Sequence, residues 1–182
     1  WMVGPGDDSD GITSRRATDR PFFKPVSLDP RLARLAVNVA SGPRDKGATL
    51  DLMTGTGGFV LEAALSGRET YGVDLDPLMI EGAQQNLDWA MPDSDAQLLL
   101  GDATRLPQVI PSDAHHRIGG FVLDPPYGRN SQGSLDHAEL IRSVLQSTRM
   151  VAASSADLVL ILPIHPFGEL PDEALEPDAS VE

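Results

Sequence analysis

Short apolar runs alternate with helix-like segments along most of this 182-residue chain, and this alternation constrains the fold more than any other feature. Two helix starts are marked by Asp-Pro, at Asp29-Pro30 and Asp76-Pro77, because Asp caps a helix and Pro favours its first position. Runs that are apolar throughout and alternate with helices are typical of parallel strands buried on both faces. The sequence therefore predicts an α/β fold with a doubly wound, mostly parallel sheet and helices on both faces.

Hydrophobic periodicity locates the elements. The first helix is predicted from Pro30 to about Ser41, and its apolar positions predict a core stripe of Leu32, Leu35, Ala36 and Val39. Further helices are predicted at 57–65, at 77–90 and around 140–151. Strands are predicted at 48–53, 70–74, 97–100, 121–123 and 157–164.

The chain has the size and hydrophobic content of one domain, with 41% hydrophobic residues. We expect a flexible lead-in over residues 1–14, which are rich in Gly and Asp, and a disordered tail over 169–182, which is acidic and contains proline. The folded domain is predicted to occupy residues 15–168.

Composition excludes several functional classes. A formal net charge of −13 argues against a broad basic surface that binds nucleic acid by itself. The absence of cysteine excludes disulfides, thiolate metal sites and cysteine nucleophiles. The four histidines lack the spacing of metal ligands, so we expect no metal site. No signal peptide or membrane-spanning run is visible, which favours a cytoplasmic protein.

One stretch departs from the acidic composition, and we call it the basic segment (residues 15–25). It carries Arg15, Arg16, Arg20 and Lys24, interleaved with aromatic residues. One interpretation is an ordinary linker that packs on the domain. The other is a strap that covers a cofactor or contacts phosphates.

A glycine-rich turn follows the first predicted strand, in the order Asp51-Leu-Met-Thr54-Gly55-Thr-Gly57. Glycine lets the backbone approach a ligand closely, and the helix N-terminus behind the turn favours an anionic group. The full dinucleotide fingerprint is absent because residue 60 is Val. In this pattern Asp51 can accept from an ammonium while the loop, with Thr54, Gly55 and Gly57, faces a carboxylate. The turn thus suits a methionine-like zwitterion.

Two further aspartates end the next two strands. Asp74 lies 19 residues after Gly55, where an acidic residue meets ribose hydroxyls in nucleotide-binding folds. Asp76 is a rival for that role, although it is better placed to cap the next helix. At the end of strand three, the Asp102 carboxylate and the Ala103 N–H could read the edge of an adenine.

The fourth strand stops abruptly at Asp124-Pro125-Pro126-Tyr127. Neither proline can donate to a strand ladder and each restricts the residue before it, so the turn is stiff. A carboxylate, a fixed carbonyl and an aromatic face then stand together at the carboxyl edge of the sheet. Asp124 and the Pro125 carbonyl could accept from an exocyclic amine while Tyr127 stacks on the base.

These motifs together resemble the S-adenosylmethionine-dependent amino-methyltransferases, and more narrowly the tRNA guanine-N2 methyltransferases of the archaeal and eukaryotic position-10 type. The narrower resemblance rests on Arg20-Pro-Phe-Phe-x-Pro25, Pro30-Arg-Leu-Ala-Arg34-x-x-x-Asn38, Gly82-Ala-x-x-Asn86-Leu87 and Gly128-Arg129. It covers roughly residues 15–165. It implies a Rossmann-like methyltransferase fold, S-adenosyl-L-methionine as cofactor and tRNA as partner.

The chain departs from the family pattern in three places. Leu52-Met53-Thr54 stands where relatives usually carry Asp-Pro-Phe-Cys or a similar sequence before the glycines. We expect an upstream RNA-binding region of the THUMP-like kind to be missing from this chain. The hairpin that normally follows strand five is also expected to be missing, which leaves an apolar edge strand.

The resemblance implies N-methylation of guanine N2 in tRNA, with Asp124, Pro125, Pro126 and Tyr127 as catalytic residues. Alternatives within enzymes are methylation of adenine N6 in DNA, of guanine N2 in ribosomal RNA, or of a protein glutamine amide. A non-catalytic cofactor-binding module is the alternative from another class.

Overall fold

The computed structural model describes residues 11–12, 14–25, 27–42, 47–126 and 134–162, and within them a five-stranded sheet. All neighbouring strands are parallel, in the order β3-β2-β1-β4-β5. The strands are β1 Ala48–Asp51, β2 Thr70–Asp74, β3 Gln97–Leu100, β4 Ile118–Leu123 and β5 Ala152–Leu160. The helices are α1 Pro30–Ser41, α2 Gly58–Leu65, α3 Pro77–Ala90, α4 Leu106–Val109 and α5 Ser134–Val151.

The strand order confirms the predicted doubly wound fold. From β1 the chain moves outward through β2 to β3, and then returns to the other side of β1 for β4 and β5. The direction of winding therefore changes between β1 and β4. In open α/β sheets, ligands bind in the crevice outside the carboxyl ends of the strands at this change of direction.

Helices cover both faces of the sheet, as the apolar strands predicted. In β4, Phe121 and Leu123 join a core cluster that includes Val144 of α5. The intervening Val122 joins a second cluster with the α1 alanines on the opposite face. Side chains alternate across a strand, so a fully apolar strand needs an apolar partner on each side.

The predicted cap of α1 is confirmed, but its predicted core stripe is wrong. Asp29 accepts a hydrogen bond from the Arg31 N–H at the start of the helix. Three members of the predicted stripe instead face outward, since Leu32, Leu35 and Val39 are 53%, 58% and 60% exposed. The buried residues of the helix are Pro30, Ala33, Ala36, Val37, Ala40 and Ser41. These mostly small residues allow α1 to approach the sheet and α2 closely. Hydrophobic periodicity alone cannot tell a face of small residues from a stripe of large apolar residues, so it did not show which one is buried.

Two strands begin earlier than predicted. β4 starts at Ile118 because Gly119 and Gly120 continue the strand, and a side chain at Gly120 would collide with Ser41 of α1. β5 starts at Ala152, and its polar first half is partly exposed because β5 is an edge strand of the described sheet. No hairpin follows β5 within the described part of the chain.

Some predictions fall on residues that the structure does not describe. The lead-in over 1–14 lies outside the described residues except for Gly11, Ile12 and Ser14, and the tail over 169–182 lies outside entirely. Tyr127 is also outside them. Over the described ranges, no helix combines the length and apolar character required to cross a bilayer.

Candidate active site

A cavity of about 840 Å³ opens at the carboxyl ends of the strands. Eight of the sequence-predicted site residues line it, and they come from the ends of β1, β2, β3 and β4. These residues are Thr54, Gly55, Asp74, Asp102, Ala103, Asp124, Pro125 and Pro126. The structure therefore brings Asp74, Asp102 and Asp124, which end three different strands, together in one cavity.

The Asp-Pro-Pro turn forms one wall of the cavity. Pro125 is buried and Pro126 is exposed, while Asp124 is partly buried at the end of β4. Burial raises the pKa of the Asp124 carboxyl above its ordinary value. A carboxylate with a raised pKa is a better proton acceptor. Next to it in the chain is the Pro125 carbonyl, whose orientation is restricted by the two proline rings.

The Asp74 carboxylate binds the glycine loop directly. One oxygen accepts from the Gly55 N–H at 2.7 Å and the other accepts from the Asp76 N–H at 2.9 Å. Gly55 has a φ of +52°, and apart from its two chain neighbours no described residue has an atom within 4 Å of the position that its Cβ would take. The loop thus leaves free space next to Gly55, and the Asp74 carboxylate at the end of β2 holds its backbone in place.

Gly57 and Asp51 lie behind the cavity wall instead of on it. Gly57 has a φ of +81° and packs against α3, where a Cβ would come within 2.9 Å of the Ala83 Cβ. Asp51 is 1% exposed, and one of its oxygens accepts weakly from the Met53 N–H. Its other oxygen has no hydrogen-bond partner among the described residues.

The electrostatic environment of Asp51 is unfavourable for its charge. Burial raises the pKa of this carboxyl well above its ordinary value, and the negative charges of Asp74 and Asp124 raise it further. The hydrogen bond from the Met53 N–H opposes this shift. Asp74 and Asp124 therefore both lie close enough to Asp51 to repel its negative charge, and a cation near Asp51 would relieve that repulsion.

Asp102 begins the segment that follows β3. Its carboxylate accepts from the backbone N–H and the hydroxyl of Thr104, both at 2.8 Å, and so caps a short 3-10 turn at Ala103–Arg105. The same residue and Ala103 line the cavity. Asp76 also lines the cavity, but it caps α3 as predicted by accepting from the Leu78 N–H.

The basic segment packs against α3 and contributes one residue, Lys24, to the lining of the cavity. Asn86 of α3 accepts from the Phe22 N–H at 2.9 Å and donates to the Phe22 carbonyl at 2.8 Å and the Thr56 carbonyl at 2.9 Å. The ammonium of Lys24 lies 5.8 Å from the centre of the Phe22 ring, and Lys24 lines the cavity. The segment thus packs on the domain, as the linker interpretation predicts, and also brings Lys24 to the cavity, as the strap interpretation predicts.

Two arginines of the basic segment are buried within the domain, where they are not exposed to a nucleic-acid backbone. Arg15 and Arg20 are 9% and 5% exposed. Arg15 forms an ion pair with Glu62 of α2, at 3.0 Å between Nε and Oε1, and Arg34 binds the same carboxylate at 2.8 Å. Charge counting along the sequence cannot reveal such burial, because the pairing residue is 47 positions away.

Apolar lining residues were missed by sequence reasoning. Leu75 stands between two aspartates at the cavity mouth and is 72% exposed, and Met79 and Leu140 also line the cavity. The sequence did contain one indication that Leu75 lines the site, because a large apolar residue directly follows the aspartate that ends strand two. Within the described ranges, no group of three or more His, Asp or Glu side chains is placed to hold a metal ion.

Known proteins resemble this chain in sequence. A family described as "RMKL-like, methyltransferase domain" matches residues 17–167. The tRNA (guanine(10)-N2)-dimethyltransferase of Pyrococcus abyssi is 38% identical over 133 residues, which cover 73% of this chain and 38% of that protein. The protein of the same name from Methanothermobacter thermautotrophicus is 34% identical over 149 residues, which cover 81% of this chain and 42% of that protein. The chain thus spans about two fifths of the length of these curated relatives.

Solved structures share the fold at lower identity. A predicted N6-adenine-specific DNA methylase from Listeria monocytogenes matches with a TM-score of 0.59 at 19% identity, over 76% of this chain and 45% of that chain. A possible methylase from Clostridium difficile 630 matches with a TM-score of 0.59 at 18% identity, over 78% of this chain and 45% of that chain. At these identities the likeness concerns the fold alone.

Proposed function

The chain belongs to the family of RMKL-like methyltransferase domains, and we propose that it transfers a methyl group from S-adenosylmethionine to the exocyclic N2 of a guanine in tRNA. The observation that carries this proposal is the single cavity in which Asp74, Asp102 and the Asp124-Pro-Pro turn meet. The names of the curated relatives, tRNA (guanine(10)-N2)-dimethyltransferases, support the choice of substrate.

The residues of the cavity fit this cofactor. A volume of about 840 Å³ is sufficient for a nucleoside-sized ligand and part of a second group. The site gathers carboxylates, and the buried Asp51 has an oxygen without a partner among the described residues, which suits a ligand that carries an ammonium and a sulfonium. The open loop at Gly55 leaves room for close approach of the ligand.

Each predicted cofactor residue has a distinct role in this proposal. Asp74 holds the glycine loop with one lone pair of each oxygen and keeps others for ribose hydroxyls. Asp102 and Ala103 face the adenine edge. Thr54, Gly55 and Gly57 shape the loop around the amino-acid end. Asp51 attracts the ammonium from behind the wall.

The Asp124-Pro125-Pro126 turn positions the substrate. The cofactor supplies an electrophilic methyl group, so alignment of the amine accounts for most of the rate acceleration. Asp124 and the Pro125 carbonyl accept from the two N–H groups of the amine, which directs its nitrogen into the cavity. When bound, the cofactor would give up its methyl group from the sulfonium sulfur, which would leave as a neutral thioether. The proton that the methylated amine then loses would pass to Asp124 or to water, and the raised pKa of Asp124 favours the first. Tyr127 stacks on the guanine in this proposal.

Binding of tRNA requires positive charge that this chain supplies sparingly. The formal net charge is −13, and Lys24 is the basic side chain among the described residues that line the cavity. We therefore infer that a separate basic region, of the THUMP-like kind, provides most of the affinity for tRNA. A cytoplasmic location accompanies a tRNA substrate in this proposal.

Methyl transfer from labelled S-adenosylmethionine to an unmodified tRNA transcript tests the proposal. We expect labelled N2-methylguanosine with the wild type and a loss of at least about 100-fold with Asp124→Ala, because one contact to the reacting amine disappears. Asp93→Ala is the matched control, since Asp93 is exposed and lies away from the cavity.

A transcript that carries inosine at the target position separates N2 from other acceptors, because inosine lacks the exocyclic amine. Labelling of the inosine transcript at that position would contradict the proposed acceptor. Cofactor binding without transfer to any RNA would instead favour the non-catalytic module.

A further inference from the structure

The guanidinium of Arg20 is buried without an acceptor for its two terminal nitrogens among the described residues. Within this part of the chain only its Nε donates, to the Arg15 carbonyl at 3.0 Å. Arginine keeps its charge in proteins, and a buried charge without partners is strongly unfavourable. Such an arrangement indicates that an anion completes the site.

The nearby carboxylate does not meet this need. Both oxygens of Glu62 are hydrogen-bonded to the side chains of Arg15 and Arg34, at 2.8 to 3.3 Å. Arg20 feels the charge of Glu62 at longer range, where the charge of Arg15 opposes it. The buried cluster therefore has more guanidinium groups than described carboxylates.

Arg20 lies at the start of α2. Its Nη1 is 3.4 Å from the position that a Cβ would take on Gly58, and Gly58 lines the cavity. Among the described residues no side chain caps α2, whose N-cap is Gly57. The first N–H groups of a helix lack intrahelical partners and carry partial positive charge. These N–H groups and the Arg20 guanidinium therefore both attract an anion in the cavity.

We propose that Arg20 is the charge partner that selects the carboxylate of the cofactor's amino-acid end, together with the N–H groups at the start of α2. The inference rests on the proposed function in taking S-adenosylmethionine as the ligand. Because Gly58 has no side chain, the guanidinium approaches the loop backbone closely from behind the cavity. In this poorly solvated layer, the interaction between opposite charges is screened less than in water.

The dissociation constants of S-adenosylmethionine and its decarboxylated form, measured by titration calorimetry, test this role. We expect the wild-type chain to bind the decarboxylated form about 10- to 100-fold more weakly, as expected for loss of a charged hydrogen bond. With Arg20→Gln, the preference for the carboxylated form should fall by about tenfold and keep only the part that the α2 N–H groups provide, while Arg20→Lys should lose less of it. Arg16→Gln is the matched control, because Arg16 is exposed in the same segment and loses the same charge.

The ratio of the two affinities distinguishes the possible failures. If Arg20→Gln weakens both ligands equally and the ratio persists, Arg20 is structural and the inference is wrong. Equal binding of both ligands by the wild type would also overturn it, while the proposed function would stand. Binding of neither ligand by the folded wild type would overturn the proposed function itself.

Thermal stability provides an independent readout. Arg20→Met replaces an incompletely paired buried charge with an apolar side chain of similar length, so the ligand-free protein should keep or raise its Tm. The increase in Tm on adding S-adenosylmethionine should shrink in this variant but not in Arg16→Gln. A lower Tm without ligand and an undiminished increase with ligand would show that Arg20 serves only the fold.

Discussion

Gly82 of α3 is the point where the basic segment rests on the domain, and a single methyl group there should detach the segment. A Cβ on Gly82 would lie 2.1 to 2.3 Å from three atoms of the Phe22 ring. Distances under 3.0 Å essentially never occur for real Cβ atoms. The ring cannot slide aside freely, because Asn86 holds both the N–H and the carbonyl of Phe22.

Two opposing terms set the expected magnitude for Gly82→Ala. In a helix interior, alanine is more favourable than glycine by about 1 kcal/mol. Overpacking a fixed neighbour costs about 1 to 3 kcal/mol, and the severity of this overlap indicates the upper end. The free energy of unfolding should therefore fall by about 2 kcal/mol.

Urea denaturation of four proteins, the wild type, Gly82→Ala, Phe22→Ala and the double variant, checks this reasoning. In the Phe22→Ala background the obstructing ring is gone, so Gly82→Ala should become stabilising by about 1 kcal/mol. The sign of the effect thus reverses between the two backgrounds. If Gly82→Ala has the same effect in both, Phe22 does not pack on Gly82 and the basic segment is not held as described.

Two further substitutions test the buried charges. Burial raises the pKa of Asp51 in the folded chain. Between the ordinary pKa of an aspartate and this raised pKa, the folded state therefore binds more protons than the unfolded state. Within that range the free energy of unfolding falls as the pH rises. Asp51→Asn should remove this fall and weaken cofactor binding. Urea denaturation between about pH 4 and neutrality measures the fall in the free energy of unfolding, which for the wild type should reach up to about 1.4 kcal/mol per pH unit. The same pH profile in both proteins would contradict this reasoning. Glu62→Gln should lower the free energy of unfolding by about 3 to 5 kcal/mol, because two largely buried arginines lose their carboxylate, whereas the exposed Glu81→Gln should have little effect. A loss below about 1 kcal/mol for Glu62→Gln would show that the pair is not desolvated.

The order of the elements could be predicted because local signals agreed with the fold. Asp29 and Asp76 cap the helices that their Asp-Pro pairs predicted. The limits of β2 were also predicted correctly, since Thr70, Tyr71 and Val73 favour a strand and the helix cap at Asp76 follows closely. The position of Asp74 and Asp124 in one cavity followed from the parallel topology, because carboxyl ends of parallel strands share an edge.

Features that depend on long-range packing could not be read from the sequence. The outward orientation of Leu32 and Leu35 follows from how closely α1 approaches the sheet through its alanines, which a 3.6-residue period does not encode. The burial of Arg15 depends on Glu62, and the position of Asp51 behind the wall depends on the path of the loop above it. In each case the local residue type permits two environments, and a distant residue decides between them.

The hydrogen bonds of Asp74 also set the width of the pocket. One short side chain fixes the distance between the backbone of the glycine loop at Gly55 and the backbone at Asp76 that leads into α3. Because Gly55 and Asp76 both line the cavity, the spacing of these two parts of its wall depends on the length of the Asp74 side chain. An effort to make the site accept a bulkier cofactor analogue would start by lengthening that side chain by one methylene, with Asp74→Glu, before enlarging any apolar wall.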